Sequence, residues 1–248
     1  MAERYKNKRA VIIGATSGIG REVAKLLHAD GWFIGVAGRR LELLETLKEE
    51  LGSNIIYKQI DICDEDADRA FVELLEEVGE VDLVFHASGV GRQNPTLEKD
   101  IEMRTMDTNV LGFTRIITAA YRYFAERGGG HIAVISSIAG TKGLGAAPAY
   151  SATKRFQNTY IQCLCQHSAI NKTEITFTDI RPGFVDTAIL NKEKHYPMLM
   201  DVEYVAKKIV KAVYARKRSY IVDWRYSVLV WFWRMIPDWV WEKISIKN

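Results

Sequence analysis

Two side chains in the stretch YSATK have types and a spacing suited to proton chemistry. Tyr150 and Lys154 lie four positions apart, and on a helix this spacing places both on one face, about one turn apart. A phenol titrates near pH 10, and a neighbouring ammonium stabilises the phenolate and lowers that pKa. The pair therefore predicts a proton donor whose acidity depends on its neighbour. An idle surface contact is the alternative.

Composition limits the classes of function that need to be considered. The chain has 248 residues, a formal net charge of +3 and 48% hydrophobic residues, which fits one α/β domain with a full core. It contains no basic block of the kind that binds nucleic acid, so we expect no such partner. The N-terminal stretch lacks an apolar signal segment, and Cys63, Cys163 and Cys165 suit neither a disulfide framework nor a metal site. We therefore expect a cytoplasmic chain without a metal.

Short apolar runs typical of strands alternate with amphipathic segments typical of helices. This alternation predicts a doubly wound, Rossmann-type α/β fold, with about seven parallel strands and helices on both faces. The predicted strands cover residues 9–15, 32–38, 54–61, 81–88, 130–137, 174–183 and 219–223, and the predicted helices residues 18–31, 40–52, 65–79, 99–127, 149–169 and 201–216. We expect residues 1–224 to form a catalytic domain and residues 225–248 to be a tryptophan-rich amphipathic tail of the same domain.

A glycine-rich stretch follows the first predicted strand. Gly14, Gly18 and Gly20 in GATSGIG stand between a strand and a helix, where glycine permits a sharp turn and close approach of a ligand. The N-terminus of the next helix presents free N–H groups that suit a pyrophosphate. The stretch predicts a dinucleotide site, although its spacing departs from the common fingerprint, and a tight turn without a ligand is the alternative.

The ends of the second and third predicted strands carry the next candidates. An acid near the end of the second strand binds a ribose 2′-hydroxyl, whereas arginine accommodates a 2′-phosphate. Gly38 stands where the acid would be, and Arg39 and Arg40 follow, so the sequence favours NADP(H) over NAD(H); the alternative is two solvated arginines. Asp61 can accept a hydrogen bond from an adenine amino group or serve as a loop residue, with Asp64 the stronger candidate for the helix cap.

Six motifs, in order along the chain, resemble those of one family. They are GATSGIG, DI at Asp61 and Ile62, NVLG from Asn109, ISSIAG with Ser137, YSATK, and RPGFVDT with Pro182, Gly183 and Thr187. From about Lys8 to about Val222 the chain resembles the short-chain dehydrogenases/reductases in their single-domain form. The resemblance implies an active-site tetrad of Asn109, Ser137, Tyr150 and Lys154, with Ser136 as the alternative to Ser137.

The resemblance also implies a role for each member of the tetrad. A ketone that accepts a hydride becomes an alkoxide, to which Tyr150 would donate a proton, while Ser137 would hydrogen-bond the substrate oxygen. Lys154 would lower the Tyr150 pKa and bind the nicotinamide ribose, and Asn109 would hold a water that links Lys154 to solvent. The expected activity is that of an NADP(H)-dependent carbonyl reductase or alcohol dehydrogenase. The alternatives are a non-catalytic dinucleotide-binding regulator and a membrane-surface-associated reductase of lipid or acyl ketones.

The same resemblance implies a set of cofactor-binding positions. They are Gly14, Thr16, Ser17, Gly18, Ile19, Gly20, Arg39, Arg40, Asp61, Ile62, Ala87, Ser88, Gly89, Tyr150, Lys154, Pro182, Gly183, Val185 and Thr187. Residues 187–200 would form a mobile substrate lid, in which His195 and Tyr196 could line the pocket. His86 replaces an asparagine that is common in the family, and we assign it no catalytic role.

The segment 226–244 is unusually rich in tryptophan. Trp231, Trp233, Trp239 and Trp241 lie close together, but Arg234, Pro237 and Asp238 interrupt the segment, which therefore does not suit an ordinary membrane-spanning helix. So large an aromatic patch is not expected to face water. It predicts a cover over the substrate pocket, an oligomer contact or contact with a membrane surface, and each favours an apolar substrate.

The resemblance implies a homodimer or homotetramer paired through the helices that contain Asn109 and Tyr150.

Overall fold

A parallel sheet of seven strands organises the molecule. In the computed structural model, which describes residues 5–188, 190 and 195–244, the strands follow the order β3-β2-β1-β4-β5-β6-β7, and every neighbouring pair is parallel. This confirms the predicted Rossmann-type α/β fold. The strands are β1 (Arg9–Ile13), β2 (Phe33–Gly38), β3 (Ile55–Gln59), β4 (Leu83–His86), β5 (Gly130–Ile135), β6 (Ile175–Arg181) and β7 (Ser219–Ile221).

Helices cover both faces of this sheet. They are α1 (Gly18–Ala29), α2 (Leu41–Leu51), α3 (Ala67–Val78), α4 (Lys99–Met106), α5 (Phe113–Glu126), α6 (Pro148–Asn171), α7 (Val202–Tyr214), α8 (Trp224–Met235) and α9 (Asp238–Trp241). One buried cluster joins the sheet to α1, α2, α7 and α8, and a second joins it to α3, α5 and α6. Within the described ranges, no helix is long and apolar enough to span a bilayer.

The central strand β1 shows how the sequence builds both clusters. Ala10 and Ile12 point into the first cluster, whereas Val11 and Ile13 point into the second, because successive side chains of a strand face opposite sides. All four are fully buried. A strand covered on both faces must therefore be apolar throughout, and this is the pattern that predicted it.

Two predicted features at helix ends can be compared directly with the structure. Gly31 and Gly52 follow α1 and α2 with φ of +81° and +74°, as expected of glycine at a helix C-terminus. The prediction that Asp64 caps α3 is wrong, because α3 begins two residues later than predicted and its N-cap is Asp66. The Asp61 carboxylate instead accepts a hydrogen bond from the Cys63 N–H at 3.0 Å, which stabilises the loop before α3.

The helix predicted over residues 99–127 is not regular. It consists of α4, a π-helical segment at residues 107–112 and α5. The segment packs tightly against the loop after β3, where a Cβ on Gly112 would lie 2.7 Å from the Ile62 carbonyl oxygen. A π-helical turn inside an α-helix is rare and frequently occurs at functional sites. Here it contains Asn109.

The order of the strands locates a crevice. β1 lies between β2 and β4, so the chain leaves β1 toward one side of the sheet and later crosses to the other. At such a switch point the loops after the two central strands diverge and leave a crevice at their carboxyl ends, where ligands bind in open α/β sheets. The glycine loop, which follows β1, lies at this point.

Two histidines are buried within the sheet. His131 in β5 hydrogen-bonds the Tyr5 hydroxyl at 2.7 Å and the Thr178 hydroxyl at 2.9 Å. His86 in β4 lies edge-on to Phe113, with 5.2 Å between ring centroids. Burial lowers the pKa of each histidine to about 3, so both are neutral in the folded chain near neutral pH.

These histidines predict an acid-sensitive free energy of unfolding. Between the ordinary histidine pKa of about 6.5 and the folded value near 3, the unfolded chain binds protons that the folded chain excludes. Each group therefore lowers stability by up to about 1.4 kcal/mol for every pH unit below about 6.5. Urea unfolding at about pH 7.5, 6 and 5 measures this slope. His131→Asn should flatten it, whereas His195→Asn, at an exposed position, should not; equal slopes for His131→Asn and the wild type would contradict this assignment.

Candidate active site

A cavity of about 840 Å³ opens at the carboxyl ends of β1, β4, β5 and β6. Its lining includes all of the cofactor-binding positions that the sequence predicts, together with Ser137. The volume is within the range of small-molecule sites. Asn109 is the member of the predicted tetrad that does not line the cavity, and it is fully buried behind the wall.

The glycine loop is shaped by close packing between the loops that follow β1 and β4. Gly14 has φ of +89°, and a Cβ there would lie 2.6 Å from the Ser88 nitrogen, so only glycine fits. The chain then enters α1 at Gly18 beside the cavity. The Ser17 side chain makes no capping hydrogen bond, which leaves the first N–H groups of α1 available. This arrangement fits a pyrophosphate.

The arginine at the end of β2 is held by two hydroxyl groups. Arg40 Nη2 donates hydrogen bonds to Thr16 Oγ1 at 2.7 Å and Ser17 Oγ at 2.8 Å. The same packing crowds position 38, because a Cβ on Gly38 would lie 2.6 Å from Thr16 Cγ2, so a larger residue there would displace the Thr16 side chain. The loop therefore presents a guanidinium group, and no acid, where the second strand reaches the cavity.

Arg39 and Asp61 face each other across the same end of the cavity. Arg39 Nη1 lies 3.9 Å from Asp61 Oδ2, and both side chains are partly exposed. A contact this long and exposed contributes little to stability. Both groups thus remain open to a ligand.

Tyr150 and Ser137 come together on the opposite side of the cavity. Tyr150 lies in the first turn of α6, and Ser137 follows β5; both line the cavity, and the Ser137 side chain lies near enough to the phenol to lower the pKa of Tyr150. The Ser136 hydroxyl instead bonds the buried Asp179 carboxylate and accepts from Asn158 Nδ2 at 2.7 Å. The geometry therefore favours Ser137 over Ser136 as the serine that acts beside Tyr150.

Lys154 lies one turn along α6 from Tyr150, as the spacing predicts. Its Nζ atom is 5.8 Å from the centroid of the Tyr150 ring, and it donates hydrogen bonds to the Ile135 carbonyl at 3.2 Å and to Gln157 Oε1 at 2.9 Å. The residue is 4% exposed. An ammonium group is therefore held at the cavity wall by neutral oxygen atoms.

Burial governs the acidity of both groups. It raises the pKa of Tyr150, and the hydrogen bond from Ser137 offsets this only in part. Burial also lowers the pKa of Lys154 to about 8, although the Asp179 carboxylate opposes the shift. In the chain alone the Tyr150 pKa is thus raised rather than lowered as expected, because removal of water penalises the phenolate. At neutral pH the tyrosine is a protonated phenol.

Asn109 is fixed to the loop after β4 rather than turned toward the cavity. Its Oδ1 accepts from the Val90 N–H at 2.9 Å, and its Nδ2 donates to the Val90 carbonyl at 2.8 Å and to Thr153 Oγ1 at 3.1 Å. Its backbone carbonyl accepts from Gln157 Nε2 at 2.9 Å. Asn109 therefore braces the cavity wall, and sequence reasoning missed Gln157.

The tail supplies part of the cavity wall. Tyr226, Leu229 and Trp233 of α8 line the cavity. The Tyr226 ring lies so close to Gly183 that a Cβ there would overlap it, and its hydroxyl accepts from the Phe184 N–H at 3.1 Å. Of the roles weighed for the tail, a cover over the pocket is thus observed for this face of α8.

The predicted lid is described only in part, because residues 189 and 191–194 lie outside the described ranges. Thr187, Leu190 and Tyr196 line the cavity, whereas His195 is exposed and does not. The ends of the segment are tied together, since the Met200 N–H donates to the Phe184 carbonyl at 3.0 Å. Tyr196, but not His195, therefore meets the expectation for a pocket residue.

Comparison with known proteins identifies the family. The family described as short chain dehydrogenase matches residues 8–197. An uncharacterized oxidoreductase of Myxococcus xanthus is 30% identical over 239 residues, covering 93% of each chain. Dehydrogenase/reductase SDR family member 7B of Bos taurus is 31% identical over 199 residues, which cover 75% of this chain and 61% of the bovine protein.

A solved structure agrees with this assignment. A short-chain type dehydrogenase/reductase from Mycobacterium ulcerans superposes with a TM-score of 0.77 at 26% identity and covers 88% of both chains. Members of this family are oxidoreductases that bind a nicotinamide dinucleotide, and the cavity fits such a ligand. The chain belongs to the short-chain dehydrogenase/reductase family.

Proposed function

We propose that the protein is an NADP(H)-dependent oxidoreductase that interconverts a carbonyl compound and a secondary alcohol. The observation that carries the proposal is the half-buried, protonated Tyr150, which lies beside Ser137 in the cavity lined by the predicted cofactor-binding residues. In the reduction, bound NADPH would supply the hydride to the carbonyl carbon. Tyr150 then donates its proton to the developing alkoxide, and Ser137 stabilises the charge on that oxygen.

The preference for NADP(H) is supported by the groups around Arg40. Thr16 and Ser17 hold the guanidinium at the end of the cavity next to the glycine loop, and arginine binds phosphate in a bidentate fashion. Gly38 also carries no acidic side chain of the kind that binds a ribose 2′-hydroxyl, and its position is crowded by Thr16. Arg39 is partly exposed and can reach the same phosphate.

An apolar substrate is supported by the lining away from the arginines at the end of β2. Among the lining residues from the loop after β4, Arg92 is the charged one, and it is exposed. Oxygen-rich substrates would leave polar groups unpaired against such a wall. The apolar lining comprises Val90, Pro95, Leu144, Leu190, Tyr196, Met198, Leu229 and Trp233.

The helices predicted to pair subunits expose apolar side chains. Met103 is 50% exposed and Leu111 is 57% exposed, on α4 and the π-helical segment that contains Asn109. We propose a homodimer or homotetramer that buries this surface, in a cytoplasmic protein. The tail belongs to the same domain in this proposal, because α8 closes the cavity.

The outer face of α8 supports contact with a membrane surface. Trp224, Val228, Trp231, Phe232 and Met235 form an exposed stripe, opposite the face that lines the cavity. Since helical positions advance by about 100° per residue, Arg225 and Arg234 lie at the two borders of this stripe. Tryptophan with arginine at its edges is typical of helices that lie at a lipid–water interface, which favours a bilayer over a second subunit at this face.

Replacement of Tyr150 tests the proposed reaction. Tyr150→Phe should lower kcat for NADPH oxidation by about 100- to 10,000-fold, because the proton donor is lost, with little change in NADPH binding. Purified protein would be assayed against aldehydes and ketones from short and polar to long and apolar, with Tyr204→Phe as the exposed control. Tight NADPH binding without turnover of any substrate would instead favour a dinucleotide-binding regulator.

Replacement of Arg40 tests the cofactor preference. Arg40→Ala should weaken NADPH binding by about 10- to 100-fold, since a hydrogen-bonded charge pair contributes roughly 1.5–3 kcal/mol. NADH binding should change far less. Fluorescence titration of both cofactors measures the difference, and Arg69→Ala on the exposed surface of α3 is the control. An equal loss for NADPH and NADH would contradict the assignment.

Replacement of the outer face of α8 tests the membrane contact. Serine at Trp231, Phe232 and Met235 together should abolish flotation with vesicles of phosphatidylcholine and phosphatidylserine, because burial of their side chains in the interface is lost. Ile170→Ser, at a position that is 71% exposed on α6, should float like the wild type. The opposite result is a wild-type protein that does not float and an oligomer that the triple replacement dissociates. That result would assign this face of α8 to a contact between subunits.

A further inference from the structure

Gln157 is a buried polar side chain with two partners in the candidate active site. It lies one turn after Lys154 on α6 and has no exposed surface. Its Oε1 accepts from Lys154 Nζ, and its Nε2 donates to the Asn109 carbonyl, each at 2.9 Å. A single amide therefore joins the lysine on α6 to the π-helical segment. Both the oxygen and the nitrogen of the amide are hydrogen-bonded. A buried amide without such partners would destabilise the fold.

We propose that Gln157 is a positioning residue that fixes the Lys154 ammonium beside Tyr150 by bridging it to the backbone of Asn109. The geometry of the bridge does not depend on any bound group. Its consequence for turnover rests on the proposed function, in which Tyr150 is the proton donor. Gln157 itself does not line the cavity and reaches it only through Lys154.

The neutrality of Gln157 is the physical reason for an amide at this position. A carboxylate would hold the ammonium equally well, but its negative charge would cancel the field of Lys154 at the phenol. An amide oxygen holds the ammonium and leaves its charge uncompensated. The other acceptor is the Ile135 carbonyl, which is also neutral.

The charged and titratable groups around Lys154 come from three elements. Tyr150 lies on the same helix. His86 on β4 is neutral because of its burial. Asp179 on β6 is the nearby carboxylate that favours the ammonium, but Arg181 occupies it with two hydrogen bonds of 2.8 and 2.6 Å. Gln157 is thus the direct side-chain partner of the ammonium.

The bridge also changes the role implied for Asn109. The family resemblance implies that this residue holds a water that connects Lys154 to solvent. In this chain the Asn109 carbonyl accepts the Gln157 amide, and the amide in turn accepts from Lys154. A fixed side chain therefore makes the connection between Asn109 and Lys154.

Titration of Lys154 by NMR tests the proposal without substrate or cofactor. The protein would carry ¹³C,¹⁵N-lysine, and the Lys154 signal would be assigned by its loss in Lys154→Arg. The wild-type midpoint is expected near pH 8. Gln157→Met keeps most of the side-chain volume but removes the acceptor, so the midpoint should fall by about one pH unit. Gln157→Glu adds an opposite charge and should raise it by about one unit or more.

Gln162→Met provides the matched control, because Gln162 lies on the same helix and is exposed. It should leave the midpoint unchanged. A folded Gln157→Met protein that titrates like the wild type would overturn the proposal, since Gln157 would then only pack. If Gln157→Met does not fold, the isosteric Gln157→Glu is the test. A Lys154 midpoint that Gln157→Glu leaves unchanged would likewise overturn the proposal.

Kinetics separate this proposal from the proposed function. In a reductase, both Gln157 variants should shift the pH profile of alcohol oxidation to higher pH, because a weaker field from Lys154 disfavours the phenolate. A shifted Lys154 midpoint in a protein without any oxidoreductase activity would preserve the bridge and refute the reductase. An unshifted Lys154 midpoint in an active oxidoreductase would refute the bridge and preserve the proposed reductase function.

Discussion

The placement of a half-buried Tyr150 beside a buried Lys154 is the constraint on which the site depends. Removal from water raises the pKa of the phenol and lowers that of the ammonium to about 8, so each is pushed toward its neutral form. A proton donor for carbonyl reduction needs the first of these shifts, because the phenol must keep its proton until an alkoxide forms. The second must be limited if Lys154 is to remain charged; the Asp179 carboxylate opposes it, and the neutral oxygens of Ile135 and Gln157 accept hydrogen bonds from the ammonium.

The surrounding fold holds this pair in place and shields it in part from water. α6 fixes the distance between the two side chains, and the π-helical segment brings Asn109 against both α6 and the loop after β4. Ser137 approaches from the end of β5. On the other side, α8 covers the cavity with Tyr226 and Trp233. Elements that are far apart in sequence therefore enclose the pair, and partial removal from water strengthens the electrostatic interactions around it.

The parts of the site that could be predicted are those that depend on residues close together in the sequence. The Tyr150–Lys154 spacing, the glycines after β1 and the arginines after β2 each carry their meaning within a few residues, and the alternation of strands and helices gave the sheet. The π-helical segment could not be predicted, since residues 99–127 have the pattern of one helix and the segment packs through Gly112 on Ile62, which is distant in sequence. Gln157 was missed because its partner Asn109 lies 48 positions away. The raised Tyr150 pKa was missed because burial depends on the whole fold.

The acidity of Tyr150 is the quantity that tests this account most directly. Ultraviolet absorbance titration of the wild type against Tyr150→Phe isolates the phenolate signal of this residue, with and without bound NADP⁺. We predict a midpoint above about pH 10 for the protein alone and a lower midpoint with NADP⁺, whose positive nicotinamide favours the phenolate. A midpoint well below 10 in the protein alone, or one that NADP⁺ does not move, would contradict the claim that burial keeps the proton on Tyr150 until the site is filled.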